Sequence, residues 1–137
     1  MPTIIFPTVE TEPVISPEDA ADDPAIWINN ADLKKSLIFG TDKKSGIYVY
    51  DLKVNQLSYS NLGKINNIDL RSVNGKLHIV TSNRTMSTLD YWIFDEQDLY
   101  KYFKSTPSNS FSESMTHHHL VTGMSVTVFA WALSTMI

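Results

Sequence analysis

The chain has 137 residues, 42% of them hydrophobic, with 11 basic and 15 acidic side chains, a net charge of -4 and no cysteine. This composition suits one small globular domain. It lacks the basic surface that displaces phosphate counterions, which excludes non-specific nucleic-acid binding. Without thiols, neither disulfides nor thiolate metal sites hold the fold together. No apolar run reaches the roughly 18–20 residues needed to span a bilayer; the longest candidate is Val126–Ile137. Met1–Phe6 has neither the basic start nor the long apolar run of a secretory signal.

Residues 1–23 form an acidic N-terminal arm. Glu10, Glu12, Glu18, Asp19, Asp22 and Asp23 face no base, and Pro2, Pro7, Pro13 and Pro17 fix φ and remove backbone donors. An extended segment is expected rather than a helix. From about residue 24 to 103 short runs rich in Ile, Val, Tyr, Trp and Phe alternate with Asn, Asp, Gly and Lys clusters, which predicts strands and turns. The predicted strands are Ala25–Ile28, Ser36–Thr41, Gly46–Asp51 and Gln56–Ser60, then Asn67–Ser72, Lys76–Ser82, Leu89–Asp95 and Leu99–Phe103. No segment keeps a helical apolar period over three turns, so no long helix is expected.

These two groups of four look like a repeat. Asp22-Asp23 aligns with Asn66-Asn67, Thr41-Asp42-Lys43 with Ser82-Asn83-Arg84, and Tyr48-Val49-Tyr50-Asp51 with Trp92-Ile93-Phe94-Asp95. A period of roughly 40–50 residues with four antiparallel strands in each is the mark of β-propeller blades. The fold class expected is therefore all-β, about two blades of a propeller. A small β-sandwich whose strands resemble one another only in composition is the plainer alternative. Two blades close no ring, so the chain is expected to be a fragment or to assemble with other copies.

Residues 104–137 are expected to be a divergent, irregular tail. Lys104 and Glu113 are its only charges besides His117–His119. Adjacent histidines do not converge on one ion unless the backbone bends, so a solvated loop is the expectation there.

In antiparallel neighbours the start of the first strand and the end of the second share one end of the sheet. In the propeller reading, Asp22, Asp23 and Lys43 thus meet Asn66, Asn67, Asp69 and Arg84 around one mouth of a central channel. Clustered carboxylate and amide oxygens suit hard cations such as Ca²⁺, which takes six to eight oxygen ligands. Nearby Lys and Arg suit phosphate. A polyanionic phosphate ligand, bridged by metal and clamped by cations, accounts for both. Each residue also has a plain reading. Asp22-Asp23 before Pro24 and Asn66-Asn67 favour turns, Lys43–Gly46 is a hairpin loop, and Arg84 has Asp90 and Asp95 as surface partners.

Five strings in order strengthen the functional reading: Thr11–Val14, Asp19–Trp27, Lys43–Tyr50, Asn66–Arg71 and Ser82–Arg84. In these the sequence resembles the β-propeller (alkaline) phytases. The resemblance implies a six-bladed propeller that hydrolyses phytate, myo-inositol hexakisphosphate, by direct attack of a water activated by Ca²⁺ ions. It implies Asp22, Asp23 and Asp69 as metal ligands and Lys43 and Arg84 as catalytic cations that hold substrate phosphates, with Asn67 also on the substrate. Members are usually secreted. The acidic ligands and second phosphate clamp of later blades have no counterpart here. Read two bases out of phase, codons for Thr122–Ala132 can encode Gly-Asn-Glu-Arg-Tyr-Gly, similar to a segment that follows the family's second blade. A frameshift within about 104–121 is therefore expected, and the coding DNA tests it. Catalysis by two blades alone is expected to be weak or absent. The alternative function is a non-catalytic propeller module that binds a partner or polyanion through its charged face.

Overall fold

A computed structural model describes residues 1–111 and the backbone of residues 115–120. Two four-stranded antiparallel sheets follow one another along the chain. The first has the order β1 (Ala21–Trp27), β2 (Leu37–Asp42), β3 (Gly46–Tyr50), β4 (Gln56–Asn61), and the second the order β5 (Ile65–Val73), β6 (Lys76–Asn83), β7 (Thr88–Asp95), β8 (Met115–Leu120). Each is a simple up-and-down meander, the form of a propeller blade. The chain is all-β, as the strand pattern predicts.

The extended arm is found, but it ends at Ala20, because Asp22 and Asp23 already lie within β1. Pro24 is tolerated in β1 because this strand pairs with β2 alone, leaving its other edge free of ladder bonds. Gly46 opens β3 where a Cβ would stand 1.9 Å from the Ser60 carbonyl oxygen, so any side chain would push β3 from β4.

The sheets pack face to face, with β5 against β1 and β2. Trp27, Leu37, Phe39, Ile47 and Val49 of the first sheet meet Ile65, Ile68, Leu77, Ile79, Trp92 and Phe94 of the second. At the other end from the β1 start, Trp27 donates its indole N–H to Glu96 (2.9 Å), and the Ser72 hydroxyl donates to the same carboxylate oxygen.

One predicted strand is a helix. Leu99–Phe103 lies in α1 (Leu99–Ser105), with Leu99 and Phe103 on its buried side, four residues apart. Tyr, Phe and Leu made this segment read as strand, but tertiary packing decides it. Phe103 is fully buried, with its ring 5.5 Å from Phe39, 5.4 Å from Phe94 and 5.5 Å from Phe111. The fourth strand of the second sheet comes instead from residues read as tail. Thr88 to Tyr91 pair with Leu120 back to His117, so the three histidines lie in β8, not in a loop. Ahead of β8, the 107–111 stretch is stitched to β4. Tyr59 N donates to Pro107 O and Asn109 N to Tyr59 O, while the Ser58 and Ser110 hydroxyls stand 2.6 Å apart. The run Val126–Ile137 and the out-of-phase segment lie outside the described residues.

Removing the Phe103 ring empties the centre of this aromatic cluster. Phe103→Ala is expected to destabilise the fold by about 3–5 kcal/mol in urea unfolding. A loss under about 1 kcal/mol would show that α1 is not seated in the core.

Candidate functional site

The repeat is carried at the backbone level by a matched pair of β-bulges. In β1 the register slips between Ala21 (opposite Asp42) and Pro24 (opposite Gly40), and in β5 between Ile65 (opposite Asn83) and Ile68 (opposite Thr81). The residues inside the slips are Asp22-Asp23 and Asn66-Asn67, the two pairs aligned by sequence. Bulges bend a strand and re-aim its side chains, so they place these oxygens at the sheet rim.

Each bulge is closed in the same way. Asp23 N donates to the Thr41 hydroxyl at 2.9 Å, and Asn67 N to the Ser82 hydroxyl at 2.9 Å. Lys43 N donates to Ala20 O and Arg84 N to Lys64 O, both at 2.9 Å. The cations thus leave their strands at equivalent points on the same rim. The third alignment is corrected by two residues. Tyr50 stands opposite Ile38 as Trp92 stands opposite Ile79, so Tyr50 matches Trp92 rather than Phe94. A slip of two preserves which face each side chain takes.

The two bulges are joined. The Thr41 hydroxyl lies 3.1 Å from Asn66 O and donates to it, and Asp23 Oδ2 accepts from Ile68 N at 2.9 Å. The site residues of both sheets are therefore fixed to one another, and the placement of Asp23 is structural as well as chemical. Asp22 and Asp23 also line an open cleft of about 280 Å³ with Thr11, Val14, Pro24 and Tyr50.

Lys43 is half-buried and pairs with Asp19 of the arm at 2.9 Å. That hydrogen bond holds the ammonium above its usual pKa, partly opposed by burial. The charge of Asp22 raises it further and that of Arg84 lowers it. Lys43, Asp22 and Arg84 thus share one electrostatic neighbourhood. Lys44, read from sequence as solvated, instead ties the arm down, donating to Pro17 O at 2.7 Å and pairing with Glu18 at 3.2 Å. The surface partners considered for Arg84 are otherwise engaged. Asp90 is buried and accepts from Asn83 and Thr88, and Asp95 pairs with Lys76.

Asp69 lies just past the β5 bulge, exposed, with Oδ1 accepting from Leu70 N at 2.7 Å. The donor set is right in kind for a hard cation. Among the described residues, however, no three acidic or histidine side chains stand close enough to hold a metal ion. Asp23 has one carboxylate oxygen committed to Ile68.

Sequence reasoning missed Asp19 as the partner of Lys43, and Thr41 and Ser82 as the groups that close the bulges. The aligned strings Thr41-Asp42-Lys43 and Ser82-Asn83-Arg84 held the signal for the latter two, a hydroxyl two residues before each cation.

Two bulged meanders with paired oxygens and one cation apiece define a repeat built to present polar groups at a single rim. A family model described as phytase matches residues 3–127, and the chain belongs to that family. It is 46% identical over 93 residues to the 3-phytase of Bacillus subtilis (strain 168), a match covering 63% of this chain and 24% of that protein. The chain thus spans about a quarter of the length of this relative.

Thr41 is buried, so removing its oxygen leaves the Asp23 N–H without a partner. Thr41→Val is expected to cost about 1–3 kcal/mol in urea unfolding, with Thr41→Ser close to wild type. Equal losses in both variants would assign the effect to packing rather than to the hydrogen bond.

The arm has a pH limit. Burial raises the pKa of Asp42, but hydrogen bonds from Ser16 and Lys44 help to outweigh it and hold the group below its ordinary 3.8. Its contribution is complete above that ordinary value and fades as pH falls through the lower folded pKa. Proteolysis of the arm by an acid-stable protease is expected to accelerate below that window, and Asp42→Asn to remove most of the acceleration.

Proposed function

We propose that the chain forms part of a calcium-dependent phytase site, hydrolysing phosphate monoesters of myo-inositol hexakisphosphate. Family membership supports the reaction class. The observation that carries the assignment to particular residues is the matched bulge pair, which brings Lys43 and Arg84 to one rim beside Asp22, Asp23, Asn66 and Asn67. In this reading Arg84 supplies a bidentate fork and Lys43 a point charge for substrate phosphates. Asn67 supplies an amide to the substrate. Asp22, Asp23 and Asp69 supply carboxylate oxygens toward Ca²⁺, whose chemistry when bound is to acidify a water and offset phosphoryl charge. Asp19 is the first group a phosphate meets at Lys43. Its side chain is 92% exposed, and such a surface pair is worth little, so a doubly charged phosphate displaces it readily.

The cation site is incomplete within these residues, and misplacing reacting groups by 1 Å costs on the order of a hundredfold in rate. Binding is therefore the sharper test. Calorimetric titration of phytate in the presence of calcium is expected to show binding that Lys43→Ala and Arg84→Ala each weaken about tenfold. Phosphate release by this chain is expected to be weak or absent. Binding that ignores both cations would overturn the assignment. A partner-binding module in the same fold would show no heat of calcium binding at all.

A further inference from the structure

At the pole opposite the bulged rim lies a second cationic site. The β1–β2 connection carries a 3₁₀ turn, Leu33–Lys35, and the β7–β8 connection carries α1. Both leave their sheets at the end away from Asp22, Lys43 and Arg84, because β1 finishes and β7 finishes there. Lys35 from the first sheet's connection and Lys101 and Lys104 from the second's line one open cleft of about 400 Å³, with Tyr100 and Ser105. We propose that this cleft binds a small anion carrying two or more phosphate groups.

Charge is the first reason. In a chain with four more acids than bases, three ammonium groups from two separate connections line this cleft, with no carboxylate among its described lining residues. The ion pairs among the described residues use Lys43, Lys44 and Lys76 and none of these three. The acids nearest in sequence, Asp32 and Asp98, do not line the cleft, and Asp32 accepts from Lys34 N. Lys101 and Lys104, three apart on one helix, repel each other, a repulsion that a bound anion relieves.

Shape and chemistry set the ligand class. Lys104 is held with Nζ 5.9 Å from the centre of the Tyr100 ring, which fixes one cation at the cleft wall. The Ser105 hydroxyl donates back to Lys101 O at 2.7 Å, so it turns its lone pairs rather than its proton outward and the lysines alone attract the anion. A cleft of this size falls in the range that takes small molecules rather than one tetrahedral ion. Flexible ammonium groups suit several phosphates whose spacing is not fixed.

The test separates this pole from the rim. Inorganic tripolyphosphate is titrated by calorimetry into metal-free Lys43→Ala/Arg84→Ala protein at low ionic strength. One binding event is expected, weakened about tenfold or more when Lys35→Ala, Lys101→Ala and Lys104→Ala are added. Orthophosphate is expected to bind far more weakly than tripolyphosphate. No heat in the rim variant, or equal affinity after the three cleft substitutions, would overturn the proposal, as would orthophosphate binding equally well. The unfolding midpoint of the fivefold variant is expected to match or exceed that of the rim variant, which keeps a binding loss from being a folding loss. Because the rim cations are absent throughout, the outcome is independent of whether the rim binds phytate.

Discussion

Two hydrogen bonds between the sheets, Thr41 Oγ1 to Asn66 O and Ile68 N to Asp23 Oδ2, hold the rest of the candidate site in place. Bulges free backbone groups from the ladder, and freed groups in a half-buried setting need other partners. Here the backbone groups freed at the β5 bulge, Asn66 O and Ile68 N, are satisfied by two side chains of the first sheet, Thr41 and Asp23. The relative position of the rim oxygens is therefore set by covalent geometry and hydrogen bonds, not by loop conformation. It follows that Asp23 is tied to the fold, with one carboxylate oxygen committed to the Ile68 N–H.

The repeat explains why the cations fall where they do. Lys43 and Arg84 each follow a β2- or β6-type strand by one residue, and each backbone N–H is caught by the residue two before the bulge. A duplicated backbone thus delivers a duplicated charge without any requirement that the surrounding side chains match. The side chains do diverge. Asp22-Asp23 against Asn66-Asn67 halves the negative charge that two identical blades would bring together, which lowers the repulsion among rim oxygens when no cation is bound.

The strands, their pairing and the recurrence of the bulged pairs and the cations were legible because apolar alternation and turn residues recur, although the third strands align two residues away from their sequence match, and seven of the eight predicted strands overlap observed ones. The eighth was not. In Leu99–Phe103 the β-favouring aromatics Tyr100, Tyr102 and Phe103 outweigh local helix preference, and only the pocket formed by Phe39, Phe94 and Phe111 reveals why Phe103 is needed on one side of a helical turn. The true fourth strand, Met115–Leu120, hides behind three histidines that carry no β signal, and its assignment rests on pairing with β7. The rim residues were legible as a group because their spacing repeats. The Asp19–Lys43 pair was not, since nothing in an extended, proline-rich arm says which strand it crosses.

The arm and the two poles follow from one distribution of charge. The acids of residues 10–23 have no base in their own segment, so the arm finds its cations on the β2–β3 hairpin, Lys43 and Lys44. Ile15 N to the Tyr48 hydroxyl and Ser16 N to Asp42 fix the crossing point. Exposed pairs of this kind contribute little to stability and exchange readily, which is the property required where phosphate is to replace carboxylate. At the opposite pole no acidic segment among the described residues crosses the lysines. An internal carboxylate can therefore compete with an incoming anion at the rim and not at the base. If both poles take phosphates, the rim must be the more selective: an anion there has to offset Asp19 at Lys43 and repulsion from Asp22, whereas the base admits any ligand with enough charge.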